Sequence, residues 1–401
     1  MNMLLINGTV IDGRGKVLER GYVAIENETI VRVGTRFKGS LKGYQRVIEL
    51  AGQCLLPGLI DCHVHLTSQG EADPVSQVQT DSDALAALRA GANAEKTLKS
   101  GFTTVRDCGA KSDVVIALRS AIEQGLATGP RIVAAGRALC MTGGHGWWCG
   151  REVDGPQETR KGVRGVIKAG ADFVKFIATG GIMTEGIAVG VPQLDYDELA
   201  AGIQEAKKAG KKTGAHAHGA EGIKNAVRAG IDSIEHAFLA NEESISLMQA
   251  AGTFLVPTVS PIHLVVEKGT QAGIPDYIVA KSLQVLNAAE ESFKAAHSAG
   301  LKIALGTDAG MPFNYHGENH QELAAMVRLG LSPEEAIMAA TSQAAELLGL
   351  ADKVGTLVAG KEADLVVVEG NPLEDISSLN KESIKLVVKK GQLVLDRVNR
   401  S

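Results

Sequence analysis

Two hydrophobic rhythms divide the chain. Through about residue 55, short β-rich runs alternate with turns: residues 4–6, an Asn7-Gly8 turn, Val10 and Ile11, then 22–25, 30–33 and 47–50. Such runs bounded by Gly and Asn read as strands of a small sheet. The same character returns at 363–368, 384–389 and 392–396, with Gly370-Asn371-Pro372 as a turn. The two ends are therefore expected to form one small β-sandwich domain, residues 1–56 with 354–401.

Between them runs a loose repeat: a helical pattern ends in Gly and an apolar strand follows at once, as when a helix C-cap feeds the next strand of an α/β unit. The copies are LKSGFTTVRD, IKAGADFVKF, KKAGKKTGAHAH, VRAGIDSIEHA, QAAGTFLVPT and HSAGLKIALGTD, and strands at 55–65 and 131–136 bring the number to eight. Eight strands alternating with helices predict an α/β fold, a (β/α)8 TIM barrel over residues 57–353. No GxGxxG or GxxxxGK[ST] turn follows any strand, so mononucleotide binding has no support.

The repeat itself locates a site. Counted from each capping glycine, a polar residue closes the strand at a nearly constant offset: Asp107 after Gly101, Lys175 after Gly170, His216 after Gly210, His236 after Gly230 and Asp308 after Gly300. These residues converge on the mouth at the C-terminal strand ends, where barrel enzymes keep their chemistry. His63 and His65 stand two apart in a strand, so both imidazoles face one side and can grip one ion. Alone, the pair reads equally well as two hydrogen-bonded core histidines. Lys175 in ADFVKFIA has only apolar immediate neighbours, a costly place for an ammonium. It reads either as a salt-bridged lysine or as one of depressed pKa serving as nucleophile, base or carbamylated metal ligand. Asp308 in LGTDAG would be a structural cap by itself and, beside converging histidines, a ligand and proton shuttle.

Composition narrows the partners. With 401 residues, 45% hydrophobic, and a net charge of -5 without a basic block, the chain is an ordinary globular protein with no nucleic-acid footprint. No run approaches the roughly 18 apolar residues of a membrane span, and residues 1–6 lack a signal-peptide start. Five cysteines without CxxC spacing, Cys54, Cys62, Cys108, Cys140 and Cys149, read as reduced thiols in a cytoplasmic protein.

The run PGLIDCHVH, Lys175 at a strand end, His216 in AHAHG, His236 in IEHA and Asp308 in GTDAG together resemble the amidohydrolase superfamily. The tail from SPEEAIMAATSQAAELLGL into EADLVVV resembles the superfamily's return from the last barrel helix to its β domain. The resemblance implies that His63 and His65 bind one metal and His216 and His236 a second, that Lys175 bridges both as a carbamate formed with carbon dioxide, and that Asp308 ligates the first. Two divalent ions, zinc by the chemistry of the donors, would hold a bridging hydroxide and polarise a carbonyl, with Asp308 passing the proton to the leaving amine.

His145 in CMTGGHGWW, with VKFIATGGIM and GAHAHG, resembles the branch of Xaa-Pro dipeptidases (prolidases), arginine carboxypeptidases and ochratoxinase. By that resemblance the substrate is a dipeptide or N-acyl amino acid, His145 polarises the scissile carbonyl and His218 contacts the C-terminal carboxylate; His218 could instead orient a metal ligand. The alternatives are a cyclic-amide hydrolase of imidazolonepropionase type and a non-catalytic assembly scaffold, which the full set of ligands disfavours. Trp147 and Trp148 either wall the pocket, pack the loop onto the barrel or form a subunit interface. Gly180, Gly181 and Gly186 would let their loop approach substrate or move as a lid. His316, Asn319 and His320 follow the last strand and either reach the mouth or start a helix; His263 and His297 carry no argument. The residues flanking the scissile bond and the oligomeric state, a homo-oligomer included, are left open.

Overall fold

The computed structural model describes residues 2–398, so Met1 and residues 399–401, the extreme ends of the expected β domain, lie outside the described residues. The chain divides into two compact units: Met1–Asp61 with Glu95–Thr104 and Gly317–Ser401, and Cys62–Ala94 with Val105–His316.

In the first unit, both chain ends join one mixed eight-stranded sheet. Its order is Gln392–Asp396, Ile384–Lys389, Leu365–Val368, Cys54–Pro57, Asn2–Ile11, Val17–Glu26 and Thr29–Thr35, with Arg46–Glu49 also paired to Asn2–Ile11. Alternate residues gather in one core, Met3 and Leu5, Val23 and Ile25, Leu365 and Val367, Leu386 and Val388. Asn7-Gly8, expected to end a strand, instead forms an irregularity inside one, with Asn7 at φ 62°. The slip changes the parity of the strand, so that Leu5 and Val10 both face the same core.

The expected strand at 55–65 is in fact two. Cys54–Pro57 belongs to the mixed sheet, whereas Leu59–Val64 lies in a second, three-stranded sheet ahead of Phe102–Asp107 and Arg131–Ala134. Gly58 makes the break: its amide donates to the Asp364 carbonyl at 2.9 Å, and any Cβ there would run into the Thr103 side chain.

In the second unit, Phe173–Ile177, Lys212–Gly219, Ser233–Leu239 and Phe254–Val256 lie side by side in parallel. Backbone bonds join them to their neighbours in a ring. On one side, Cys108 N donates to Val64 O at 3.0 Å, Ala135 N to Asp107 O at 3.0 Å and Asp172 N to Ala134 O at 2.8 Å. On the other, the last copy of the repeat forms only isolated bridges, Leu255 with Ile303 and Val64 with Ala309. It still closes the circle, with Ala304 N to Leu255 O at 2.9 Å, Cys62 N to Leu305 O at 2.8 Å and Asp308 N to His63 O at 2.7 Å. The fold is the (β/α)8 barrel predicted from the repeat. The capping glycines take the left-handed conformation a helix end needs, Gly170 at φ 108°, Gly230 at 90° and Gly252 at 70°. Among the described residues, no helix is long and apolar enough to cross a membrane.

Candidate metal centre and pocket

The strand ends place His63, His65, Lys175, His216, His236 and Asp308 around one cavity of about 110 Å³, whose wall also includes His145, His218 and Trp148. His63 and His65 each point Nε2 at Asp308 Oδ1, at 3.5 and 3.2 Å. Their other nitrogens are held, His63 Nδ1 by Glu235 at 2.9 Å and His65 Nδ1 by the Gly109 carbonyl at 2.9 Å. His236 is fixed in the same manner, with Nδ1 2.6 Å from the Thr258 hydroxyl, and its ring centre lies 4.9 Å from His63 and 4.6 Å from His216. Imidazoles anchored through one nitrogen and aimed through the other are what metal ligation requires.

Two backbone irregularities make this convergence possible. His236 and Ala237 have φ of 72° and 56°, and Asp308 has φ of 57°, a region non-glycine residues seldom adopt. In a regular strand, Glu235 and His236 would face opposite sides. Here Glu235 reaches His63 while His236 turns into the cavity. Strain of this kind costs roughly 1–3 kcal/mol per residue and concentrates at functional sites.

The electrostatics fit a bound cation. Burial, reinforced by the charge of Lys175, lowers His63 to about 4, and burial with neighbouring histidines drives His216 and His236 well below the usual range. Neutral imidazoles are ligands. Burial alone would raise Asp308, but the facing His63 and His65 bring it down to about 2, so it is a carboxylate. Burial opposes charge on His65, yet the hydrogen bond and charge of Asp308 outweigh it and raise its pKa. Among the described residues, His216 Nε2 is buried without a hydrogen-bond partner, an expense that a divalent ion would remove. Nε2 of His63 and of His65 and an oxygen of Asp308 lie close enough together to share one ion. A second grouping, His63 with Cys108 and Glu235, is also close, but Glu235 is already engaged by Arg106, Ser233 and His63. Lys175 is 2% exposed, with no hydrogen bond or ion pair among the described residues, and its charge acts on His63, His216 and His236 alike. It lines the same cavity as both histidine groups.

The chain's likeness to known proteins agrees with this geometry. Residues 54–394 match the model of the amidohydrolase family. The chain belongs to that family. Ochratoxinase of Aspergillus niger is 31% identical, over 97% of this chain and 85% of its own. A Xaa-Pro dipeptidase solved with methionine in its active site superposes with a TM-score of 0.91 at 37% identity, covering 98% of this chain and 99% of the other. A prolidase complexed with N-methylphosphonate-L-proline gives 0.91 at 33% identity, over 99% of this chain and all of the other.

Loops complete the pocket of this amidohydrolase. His145 stands between Leu139–Cys140 and Arg151–Glu152, with Nδ1 2.8 Å from the Thr184 hydroxyl and its ring 4.3 Å from that of His216. A Cβ on Gly181 would come within 2.5 Å of the His145 ring, so that position has to be glycine. The 180–188 loop is tied down: the Lys281 ammonium reaches the carbonyls of Gly181, Thr184 and Ile187, and the Tyr277 hydroxyl donates to Met183 O. Trp148 packs edge-on against His145 at 5.4 Å, whereas Trp147 is 42% exposed. His218 stacks on His236 at 5.0 Å and touches Phe238; burial takes it to about 3, and its Nδ1 has no partner.

Other polar residues lie off the cavity. Asp107, read as converging on the mouth, instead accepts from Leu66 N at 2.8 Å and Gly109 N at 3.3 Å, shaping the turns behind His65. His316 Nε2 lies 3.2 Å from the carbonyls of both His65 and Ser68; Asn319 donates to Asp61, and His320 faces Glu318. His263 pairs with Glu290.

Sequence reasoning missed the ion pair beneath the centre. Arg106 and Glu235, 2% and 0% exposed, are joined by two bonds at 2.8 and 3.0 Å, with Ser233 donating to Glu235 at 2.6 Å. Arg106 and Lys175 keep Glu235 ionised against the effect of burial. The usable signal was two opposite charges inside apolar strands, each hidden by a more eye-catching neighbour, Asp107 and His236. Removing one partner of a buried pair strands the other charge, so Glu235→Gln is expected to cost about 3 kcal/mol. An unchanged urea midpoint would contradict that.

Proposed function

We propose that this hydrolase cleaves an amide or peptide bond next to a C-terminal amino acid, as a dipeptidase or carboxypeptidase on small substrates of the Xaa-Pro kind, at a binuclear centre. The carrying observation is the ring of donors, His63, His65, His216, His236 and Asp308, lining one cavity with a buried Lys175 that forms no ion pair among the described residues. His63, His65 and Asp308 would hold one metal and His216 and His236 the other. Carbamylation of Lys175 by carbon dioxide would replace a buried ammonium with an anionic ligand shared by the two ions. Bound divalent ions, zinc being favoured by the donors, supply an activated water and polarise a carbonyl.

The chain's own groups do the rest. Asp308 Oδ1, ionised, takes a proton and returns it to the leaving amine. His145 Nδ1 pairs with the Thr184 hydroxyl; in the tautomer that accepts from this hydroxyl, the imidazole proton would stand on Nε2, from which His145 would donate to the scissile carbonyl. His218 lines the cavity, and its Nδ1, unpartnered among the described residues, would meet the substrate's carboxylate. The five free thiols support a reducing compartment, and in this reading the enzyme works in the cytoplasm. The names of the dipeptidase, the prolidase and ochratoxinase support the reading through their similarity.

The test is a screen of dipeptides and N-acyl amino acids, as free acids and as C-terminal amides, with the metal-loaded enzyme. Amidation is expected to lower kcat/KM roughly tenfold to over a hundredfold, on the order of 1–3 kcal/mol for each donor left unpaired. His218→Ala should impose the same loss on the acid and little more on the amide, since both changes delete one interaction. Equal hydrolysis of acid and amide would move the substrate class to cyclic amides of imidazolonepropionase type.

A further inference from the structure

The helix Asp276–Ser298 buries one face, a stripe that includes Ile278, Ser282, Val285, Ala289, Ser292 and Phe293. Two serines interrupt this apolar stripe, and only one is satisfied. Ser292 Oγ donates to the Ala237 carbonyl at 2.6 Å, as a buried helical serine should. Ser282 is 0% exposed, its Oγ has no hydrogen-bond partner among the described residues, and it lines the same cavity as the metal-ligand candidates.

Its surroundings connect it to His218. The His218 ring packs on Phe238 at 4.6 Å, and Phe238 shares an apolar cluster with Ile262, Val285 and Ala289. Val285 lies one turn from Ser282 on the buried face of the helix. The cavity lining thus includes two polar atoms unpartnered among the described residues, His218 Nδ1 and Ser282 Oγ, both beside the apolar cluster of Phe238, Ile262 and Val285. A buried hydroxyl with no partner lowers stability, so its presence on a cavity wall points to a ligand that completes it. The histidines, Lys175 and Asp308 apart, the lining has no charged residue, and nothing else there would meet a charged side chain.

Building on the proposed carboxylate-directed activity, we infer that Ser282 is a specificity-determining residue that donates to the same substrate carboxylate as His218. The apolar cluster beside it selects a neutral, hydrocarbon side chain on the C-terminal amino acid.

Ser282→Ala and Ser282→Thr test this in the metal-loaded enzyme with Leu-Pro and Ala-Phe as free acids and as C-terminal amides, alongside thermal unfolding. For Ser282→Ala, KM for the acids should rise about tenfold with kcat within about twofold, KM for the amides should stay put, and Tm should hold or rise. Ser282→Thr, which keeps the hydroxyl, should recover most of the loss. An unchanged KM for the acids, or a lowered Tm with unchanged KM, makes Ser282 a structural residue and leaves the carboxylate reading standing, provided that the wild type prefers acids. If the wild type turns over neither acid, or acid and amide alike, the carboxylate reading fails and the role of Ser282 falls with it.

Discussion

On the proposed binuclear reading, Lys175→Ala is expected to lose bound metal and to lower turnover by on the order of a thousandfold or more. The side chain is buried, and its charge depresses the pKa values of His63, His216 and His236. As a bridge it would serve both ions at once, and alanine would leave two histidine groups with no common ligand. Metal analysis of the purified variant reads the first effect and steady-state kinetics the second. Bicarbonate supplied with a short carboxylic acid should restore part of both. Wild-type metal content and turnover in the variant would sink the binuclear reading.

Asp308→Asn is expected to fold normally and to retain at least one metal, with kcat lower by roughly a hundredfold to ten-thousandfold. The amide preserves the shape of the side chain and can still accept through one oxygen, but it cannot carry a proton. His63 and His65 hold Asp308 ionised despite burial, with a pKa of about 2, and the loss of that charge also removes their counter-ion. Circular dichroism and metal content separate an unfolded variant from an inactive one. Turnover within a few-fold of wild type would remove Asp308 from the mechanism.

The sequence revealed the barrel and the six strand-end residues because both depend on local chemistry that repeats. A glycine that must turn left-handed ends each helix, and a polar residue in an apolar strand is conspicuous wherever it falls. The split at Gly58 was hidden because one uninterrupted apolar run serves two sheets, and only the close approach of Thr103 separates them. The Arg106–Glu235 pair was hidden because strand alternation gives the wrong side for Glu235 relative to His236. That rule fails at His236 and Ala237, where φ is positive, and no residue type there announces it. Ser282 was invisible too, since a serine on a helix becomes informative only once its neighbours are known to be apolar and its hydroxyl unmet.

The left-handed backbone at His236 and Ala237 sets a limit on transplanting this centre by design. A de novo barrel drawn with regular strands can present the residue at one position of a pair to the interior, but not two consecutive ones. Copying only the identities of the side chains onto such a scaffold would deliver either the carboxylate that steadies His63 or the imidazole that completes the second group, never both. The graft would have to carry the irregular strand end as a unit, and Ala237→Gly would be the first substitution to relieve its conformational tension.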